Sequence, residues 1–260
     1  HDALPILKQI SEQYRKVRNT FRFMLANVNP DEDFTKDDLV DIHELPELDQ
    51  YILVLLNEVN EKAVKAYKEY RFADITNMLS NLMTNELSAY YMDYTKDILY
   101  IEKKDSLRRR QVQTVLWHAI NVLVRLWAPI LVHTCEEVND FFHTEADSIH
   151  LGRFAQALDI EHAEEIKANM ERMMVLRQDI FKALEEARAD KVIGKSLEAH
   201  VIVNVSDEDR ALIEKLCGSQ LNQWLIVSKV SFSVDELKQY EACQVAVEKC
   251  EGVVCPRCWN

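Results

Sequence analysis

Arginines near the start of the chain recur at a spacing that places them on one face of a helix. Arg15, Arg18 and Arg22 are three and four residues apart, and the only acid between Lys8 and Arg22 is Glu12. Guanidinium groups donate parallel hydrogen bonds to phosphates and to base edges. This arginine row therefore predicts a nucleic-acid contact, although a solvated basic face is the commoner interpretation of one such helix taken alone.

Asn19 lies within the arginine row, and a group of tyrosines with Lys96 follows further along the chain. Aromatic residues at helical spacing are usually buried, so we expect two of the tyrosines in the core. Tyr94 lies nearest the polar end of its predicted helix, so we expect its ring to stack on an unpaired base, which contributes about 1–3 kcal/mol. The tyrosines are Tyr90, Tyr91, Tyr94 and Tyr100.

A Cys-x-x-Cys motif, formed by Cys255 and Cys258, lies close to Asn260, the last residue. Two thiolates make half of a tetrahedral zinc site, and the second pair usually follows about 15–20 residues later. Either that pair is missing here, or Cys243 and Cys250 complete the site. The spacing of Cys243 and Cys250 is unlike that of common zinc modules, so we expect a half-site only.

Familiar catalytic motifs are absent from the sequence, which has no Gly-x-Ser-x-Gly, no His-Glu-x-x-His and no P-loop. His133, Cys135 and Glu136 are close together but share one short amphipathic helix, without a second base or a glycine-rich turn. A zinc-dependent hydrolase needs an open metal position, whereas these cysteines suit a structural site. We therefore expect no self-contained active site.

Charge is unevenly distributed along the chain. The net charge of -13 argues against general polyanion binding. Residues 29–49, the acidic loop, carry nine carboxylates and one lysine, whereas residues 103–110, the basic island, carry five basic residues and one acid. We expect a local nucleic-acid contact through the arginine row and the basic island, with the acidic loop pointing away.

The elements that must position these residues are mainly helices, because the chain has only 4 glycines and 5 prolines. Apolar residues at every third or fourth position predict an antiparallel helix bundle over residues 1–150. Residues 151–242 predict a long helix and then a small α+β appendix, because the apolar period changes to two after Gly194. Residues 243–260 are expected to begin a zinc-binding module that is cut short. The predicted fold class is mainly α.

No apolar run is long enough to cross a bilayer, and no signal peptide is recognisable, so we expect a cytoplasmic protein without a membrane partner. The chain begins with His1 rather than Met, from which we expect a piece of a longer protein.

Several segments resemble class I isoleucyl-tRNA synthetases, in the same order along the chain. Tyr14–Phe23, with the sequence Tyr-Arg-Lys-Val-Arg-Asn-Thr-Phe-Arg-Phe, resembles the opening helix of their anticodon-binding domain. The closing Cys-Pro-Arg-Cys-Trp resembles the start of the zinc module of the bacterial enzymes. The other matching segments are Leu87–Asp97, Arg109–Leu116, Leu126–Leu131, Lys182–Arg188 and Ile193–Ala199.

The resemblance implies the tRNA anticodon-binding region of a ligase that joins isoleucine to its tRNA with ATP and magnesium. The family's ATP-binding signatures, His-Ile-Gly-His and Lys-Met-Ser-Lys-Ser, do not occur here, so this region is expected to be inactive alone. The implied partner is the anticodon stem-loop of isoleucine tRNA, bound by a monomer. The implied tRNA-binding residues are Arg15, Arg18, Asn19, Arg22, Tyr94 and Lys96, and the implied zinc ligands are Cys255 and Cys258.

Two other interpretations remain open from the sequence. The related valyl-tRNA synthetase shares the bundle, although Ile193–Ala199 and the closing Cys-x-x-Cys favour the isoleucyl family. A helical protein-interaction scaffold without an RNA role would leave the arginine row unexplained, and it predicts no salt-dependent RNA binding.

Overall fold

The computed structural model describes residues 3–252, with side chains from residue 6 onward. The chain folds into two compact units. The first contains the residues up to Leu45 together with Asp49–Glu161, and the second contains Pro46–Leu48 together with the chain from His162 onward. The division therefore falls after residue 161, later than the predicted boundary at residue 150.

The segment before this division belongs to the first unit because side-chain amides hold its backbone. Asn57 donates Nδ2–H to the carbonyl of Leu158 and accepts the Leu158 N–H, both at 2.8 Å. Asn60 donates to the carbonyl of Ala155, also at 2.8 Å. These bonds satisfy backbone groups that have no helix or sheet partner. The apolar periodicity of the sequence does not reveal such bonds, so it could not place the boundary.

Helices form most of the first unit, as its apolar periodicity predicts, and the mainly-α fold class with a small α+β appendix is confirmed. No helix in the described part of the chain is both long and apolar enough to cross a membrane. The helices are α1 (Ala3–Asn27), α2 (Glu47–Lys68), α3 (Phe72–Asn81), α4 (Met92–Ile101), α5 (Leu107–Trp127) and α6 (Val132–Phe142).

Helix α5 is the most central of these helices and packs against α1, α4 and α6. Ser106 is its N-cap, since the Ser106 hydroxyl accepts the N–H of Arg109 at 3.3 Å. The helix ends before Pro129, which cannot continue the backbone hydrogen-bond ladder. Its apolar side chains are buried, so α5 forms the floor on which the helices that carry the candidate site pack.

A π-helical segment, Leu82–Tyr91, connects α3 to α4. The sequence predicts one continuous α-helix here, with a period of 3.6 residues. Hydrogen bonds from residue i to i+5 widen each turn of a π-helix, so the residues after it are rotated from their α-helical phase. Tyr90 in this segment and Tyr94 and Ile98 in α4 are nevertheless all buried.

The basic island packs against the acidic loop, and the prediction that the two point in opposite directions is wrong. Arg109 forms an ion pair with Asp33, and Lys104 and Arg110 lie 3.4 Å and 3.6 Å from the same carboxylate. Arg110 also lies 3.3 Å from Asp38. Burial alone would raise the pKa of the Asp33 carboxyl, but the surrounding cations hold that pKa below its ordinary value. The arginines of the island are thus structural.

An ion pair between Asp49 of α2 and Arg108 of α5 lies deeper in the first unit. The Asp49 side chain is 0% exposed, and Arg108 approaches both of its oxygens. Tyr91, which is also buried, donates its hydroxyl hydrogen to Asp49 Oδ1 at 2.8 Å. Burial opposes the charge on Arg108, yet the field of Asp49 keeps the pKa of the guanidinium above its ordinary value.

His118 of α5 provides a pH-dependent contribution to stability. Burial lowers the pKa of this imidazole from 6.5 to about 4, and its Nδ1 has no hydrogen-bond partner among the described residues. Between those two values the unfolded chain binds a proton that the folded chain does not, so stability is full above pH 6.5 and decreases as the pH falls towards 4. We expect a loss of about 1–2 kcal/mol, because the ring keeps some contact with solvent.

Urea unfolding at pH values from 7 to 4 measures this loss, with the variant His118→Gln as the control. The free energies of unfolding of the two proteins, plotted against pH, should differ in slope only between pH 6.5 and 4, where His118 is protonated in the unfolded chain and neutral in the folded one. Parallel profiles over that range would contradict the role of His118.

The second unit contains the predicted long helix, α7 (Ala163–Ala189), and a small sheet. Its other elements are β1 (Ala199–Asn204), α8 (Asp207–Leu216), α9 (Leu221–Leu225), β2 (Lys229–Phe232) and β3 (Gln244–Lys249). The strands of the described residues form one three-stranded sheet in the order β2-β1-β3. β1 pairs parallel with β2 and antiparallel with β3.

Buried and partly exposed side chains alternate along β1, so one face of the sheet is covered and the other is partly open to solvent. Ala199, Val201 and Val203 are buried, and the residues between them are partly exposed. Strand β3 pairs with the whole of β1 and packs against α7. The first part of the predicted segment 243–260 is therefore an integral strand of this sheet.

Candidate nucleic-acid interface

Helix α1 presents the arginine row on its exposed face. Arg15, Arg18, Asn19 and Arg22 are all exposed. On the opposite face, the apolar side chains Val17, Phe21 and Met24 are buried in the bundle. The helical spacing of the sequence therefore predicted correctly which residues share the exposed face.

A groove with a volume of about 430 Å³ lies between α1 and α6, and we call it the α1–α6 groove. It combines an apolar floor with a polar rim, and the ring of Phe141 at its edge is 61% exposed. Such a mixture is typical of ligand pockets. The lining residues are Arg18, Asn19, Phe21, Arg22, Leu25, Ala26 and Asn29 on one side, and Thr134, Glu137, Val138 and Phe141 on the other.

Arg18 is not the uncompensated cation that its local sequence indicates. Its two terminal nitrogens donate to the two carboxylate oxygens of Glu137, at 2.6 Å and 2.7 Å. This hydrogen-bonded pair raises the pKa of Arg18 and lowers the pKa of Glu137. Arg15 likewise pairs with Glu12 on its own helix. The expectation of an uncompensated row is therefore wrong for two of its three arginines.

Arg22 differs from the other two arginines. It is exposed, it lines the α1–α6 groove, and within residues 3–252 its side chain has no hydrogen bond or ion pair. An exposed guanidinium without a protein partner can bind a phosphate or a base edge without first breaking another contact. Arg22 is therefore the cation of the arginine row that no other described residue engages.

A second groove, of about 520 Å³, lies on the other side of α1, and we call it the α1–π groove. Asn19 lines both grooves, and Lys96 lines this one, where it pairs with Asp93 at 2.8 Å. The structure thus brings Asn19 and Lys96 to one surface. The remaining lining residues are Lys16, Thr20, Phe23, Thr84, Ser88, Ala89 and Met92.

Tyr94 is buried, so the prediction that its ring lies open at the end of the helix is wrong. Its side chain is only 3% exposed, and its ring packs against Tyr90 and Tyr91 at centroid distances of 5.4 Å and 5.5 Å. This packing leaves no ring face of Tyr94 open to a base.

Tyr100 and Phe141 are two exposed aromatic residues that were not among the predicted site residues. Tyr100, near the end of α4, is 66% exposed, and its ring meets Phe23 edge-on at 6.4 Å. The position of Tyr100 next to the last residue of α4 could have indicated from the sequence that its ring is exposed. Phe141 and Glu137 had no such signal, because α1 and α6 are far apart in the sequence.

The cysteine predictions divide into two parts. Cys255 and Cys258 lie outside the described residues, so the half-site remains a prediction. Cys243 does not fit a metal ligand, because it is buried and donates Sγ–H to Asp179 at 3.7 Å. Burial, with the nearby Asp179, raises the pKa of this thiol to about 12. The described residues contain no cluster of three or more metal-ligating side chains.

Comparison with known proteins agrees with this architecture. Residues 49–203 match the family model described as the anticodon-binding domain of tRNA ligase. The chain therefore belongs to the anticodon-binding domain family of tRNA ligases. Helix α1 precedes the matched residues, so the assignment of its arginines rests on the geometry of the grooves.

Curated relatives extend the similarity to nearly the whole chain. The isoleucine–tRNA ligase of Geobacillus kaustophilus is 44% identical over 98% of this chain, and that of Lactobacillus johnsonii is 40% identical over 97%. The isoleucine–tRNA ligase of Bacillus subtilis is also 40% identical over 97%. The chain spans only 27–28% of the length of these relatives. The resemblance to isoleucyl-tRNA synthetases is confirmed, and these relatives give no support to the valyl alternative.

Proposed function

We propose that this chain is the part of an isoleucine–tRNA ligase that binds the anticodon stem-loop of isoleucine tRNA. The observation that carries the proposal is the α1–α6 groove, where Arg22, Arg18 and an exposed aromatic ring, Phe141, line one cavity, and where Arg22 has no partner among residues 3–252. Proteins read single-stranded RNA loops by stacking splayed bases on aromatic rings and by hydrogen-bonding their edges. This groove offers both kinds of contact.

Each side chain has a distinct part in the proposed complex. Arg22 binds a backbone phosphate, because its guanidinium is exposed and open to bidentate contact. Asn19, between the two grooves, hydrogen-bonds a base edge. Phe141 stacks on a base, and Tyr100 stacks on a neighbouring one, in place of the buried Tyr94.

Charge limits the binding to this local surface. The chain carries a net charge of -13, and the arginines of the basic island are engaged with Asp33, Asp38 and Asp49. Only a few cations are left to displace counterions from RNA, so affinity should fall with salt along a shallow slope. The acidic remainder repels RNA that does not fit the groove, which favours selectivity over general binding.

The same proposal covers the longer protein. That protein joins isoleucine to its tRNA with ATP and magnesium, acts as a cytoplasmic monomer, and holds zinc partly through Cys255 and Cys258. The described residues contribute binding only, because the ATP-binding signatures of the family do not occur in the 260 residues. The region is therefore inactive in aminoacylation by itself.

A binding titration against isoleucine tRNA and a non-cognate tRNA, at two salt concentrations, tests the proposal. We expect the isoleucine tRNA to bind more tightly at both concentrations. With roughly two to four phosphate contacts to single-stranded RNA, the logarithm of its affinity should fall by about 1.4–2.8 per tenfold rise in salt. Equal affinities would mean that the grooves bind phosphates without reading bases, and the absence of salt-dependent binding would favour the protein-interaction scaffold.

A further inference from the structure

The apolar stripe of α1 continues into a part of the helix where it is no longer buried. Val17, Phe21 and Met24 of this stripe are buried, whereas Ile6 and Ile10, at the same helical spacing, are 56% and 55% exposed. An apolar stripe on a helix normally faces a packing partner. The first turns of α1 therefore carry the pattern of a buried face in an exposed position.

The contacts between α1 and α6 show where the cover of this stripe stops. Tyr14 and Thr134 share a hydrogen bond of 2.9 Å between their hydroxyl groups, and Thr134 lies in the first turn of α6. Further along both helices, Arg18 pairs with Glu137, so α1 and α6 run in the same direction. The two exposed isoleucines lie about one and two turns before Tyr14, which places them beyond the start of α6.

Helix α3 begins at the same end of the bundle as α1. Gln13 donates to the Ser80 hydroxyl at 2.8 Å, and further along the ring of Phe23 meets that of Tyr100. The segment from α3 to α4 therefore runs in the same direction as α1. Phe72, the first residue of α3, consequently lies at the level of the first turns of α1.

The turn between α2 and α3 adds two exposed aromatic rings at this end. Tyr70 is 80% exposed, Phe72 is about half exposed, and their rings meet edge-on at 6.3 Å. Tyr70 has a φ of 57°, in the left-handed region that favours glycine, where a bulky side chain is uncommon. We call Ile6, Ile10, Tyr70 and Phe72 the apolar end of the bundle.

Charge at the apolar end is unfavourable for RNA and favourable for an uncharged protein surface. Arg71, between the two aromatic residues, is paired with Glu69 at 2.8 Å and with Asp74 at 2.6 Å. Exposed apolar side chains that lie together commonly mark protein contacts. The chain spans only 27–28% of the length of the relatives described above, so most of such a ligase lies outside these 260 residues.

We propose that the apolar end docks against an apolar surface in the part of the longer ligase that lies outside these 260 residues. A covalently linked partner has a high effective concentration, so a patch of this modest size is enough. Helix α1, with 25 residues and a length of about 37 Å, would then be a rigid spacer between that surface and the α1–α6 groove. This inference uses the longer protein of the proposed function but concerns a different surface.

Amide hydrogen exchange, measured without RNA in the 260-residue chain and in the longer ligase, tests the docking. The N–H of Arg71 donates to the carbonyl of Ala66 at 2.9 Å, so its exchange reports opening of this turn. In the ligase, residues 66–75 should exchange about 10- to 100-fold more slowly than in the chain alone. Residues 100–107, at the opposite end of the bundle, are the control and should change by less than about twofold.

Variants of the ligase assign the slower exchange to the apolar end itself. Ile10→Ser and Tyr70→Ser should each remove most of the added protection of residues 66–75. Leu107→Ser, the matched control, replaces an exposed apolar residue at the opposite end and should leave that protection unchanged. In the 260-residue chain each substitution should shift the melting temperature by less than about 2 °C, because the side chains are exposed there.

The docking proposal is overturned if residues 66–75 gain no protection in the ligase, or if the gain persists in both variants. Equal slowing of residues 100–107 would indicate general stabilisation and would also overturn it. Slowing in the chain alone as its concentration rises would assign the apolar end to a second copy, and slowing only after tRNA is added would assign it to RNA; both overturn the proposal. Because this test contains no RNA, the tRNA titration can fail while the docking holds, and the reverse.

Discussion

Replacing Asp49 by asparagine is expected to lower the free energy of unfolding by about 3–5 kcal/mol, the largest effect of any single substitution that we predict. Asp49 is 0% exposed, and it is the partner of both Arg108 and the Tyr91 hydroxyl. The neutral amide leaves the Arg108 guanidinium mostly buried without a counter-charge. The loss comes from that unpaired charge, which no rearrangement of surface residues can solvate.

Equilibrium unfolding in urea measures the effect, and Glu145→Gln is the matched control. Glu145 also forms an ion pair, with Lys36 at 3.2 Å, but its side chain is 84% exposed. Its replacement should change the unfolding free energy by less than about 1 kcal/mol. A loss below about 1 kcal/mol for Asp49→Asn would show that the buried pair is not what holds α2 to α5.

Replacing Arg22 by alanine is expected to weaken binding of the isoleucine anticodon stem-loop by about 1–3 kcal/mol, and to leave folding stability within about 0.5 kcal/mol of wild type. The two expectations have one physical reason. Arg22 lines the α1–α6 groove and is exposed, and none of the described residues bonds to its side chain. Its loss therefore removes an RNA contact and no protein contact.

Arg15→Ala is the control for Arg22→Ala, since both substitutions remove one arginine from the exposed face of α1. Arg15 pairs with Glu12 and is not among the residues that line either groove, so its effect on RNA affinity should be below about 0.5 kcal/mol. If Arg22 contacts a phosphate, its replacement should also reduce the salt slope by about 0.7. Equal effects of the two variants would indicate general electrostatic attraction and would contradict a specific role for Arg22.

The helices and the strands could be predicted from the sequence because their signals are local. Val17, Phe21 and Met24 recur at helical spacing and are all buried in α1. Scarcity of glycine and proline correctly predicted long helices. Alternation at Val201 and Val203 correctly predicted a strand. Each of these signals concerns residues a few positions apart, whose relative orientation the backbone alone determines.

Tyr94 shows where this local reasoning failed. Its predicted exposure rested on its position near the polar end of the helix predicted over residues 72–101. Position near a helix end does not reveal what packs around a ring, and the ring of Tyr94 lies against those of Tyr90 and Tyr91. Tyr94 is therefore buried, while Tyr100, nearer the end of α4, is exposed.

What the sequence by itself determined is which residues share a face of a helix, the mainly-α class with its small sheet, and the resemblance to isoleucyl-tRNA synthetases. Only the tertiary structure decided which charges are available. Glu137 neutralises Arg18 from another helix, and the acidic loop neutralises the basic island, whereas Arg22 is left without a partner among the described residues. Helical periodicity acts over a few residues, but charge pairing depends on distance in space, so the availability of Arg22 is decided only when the helices pack.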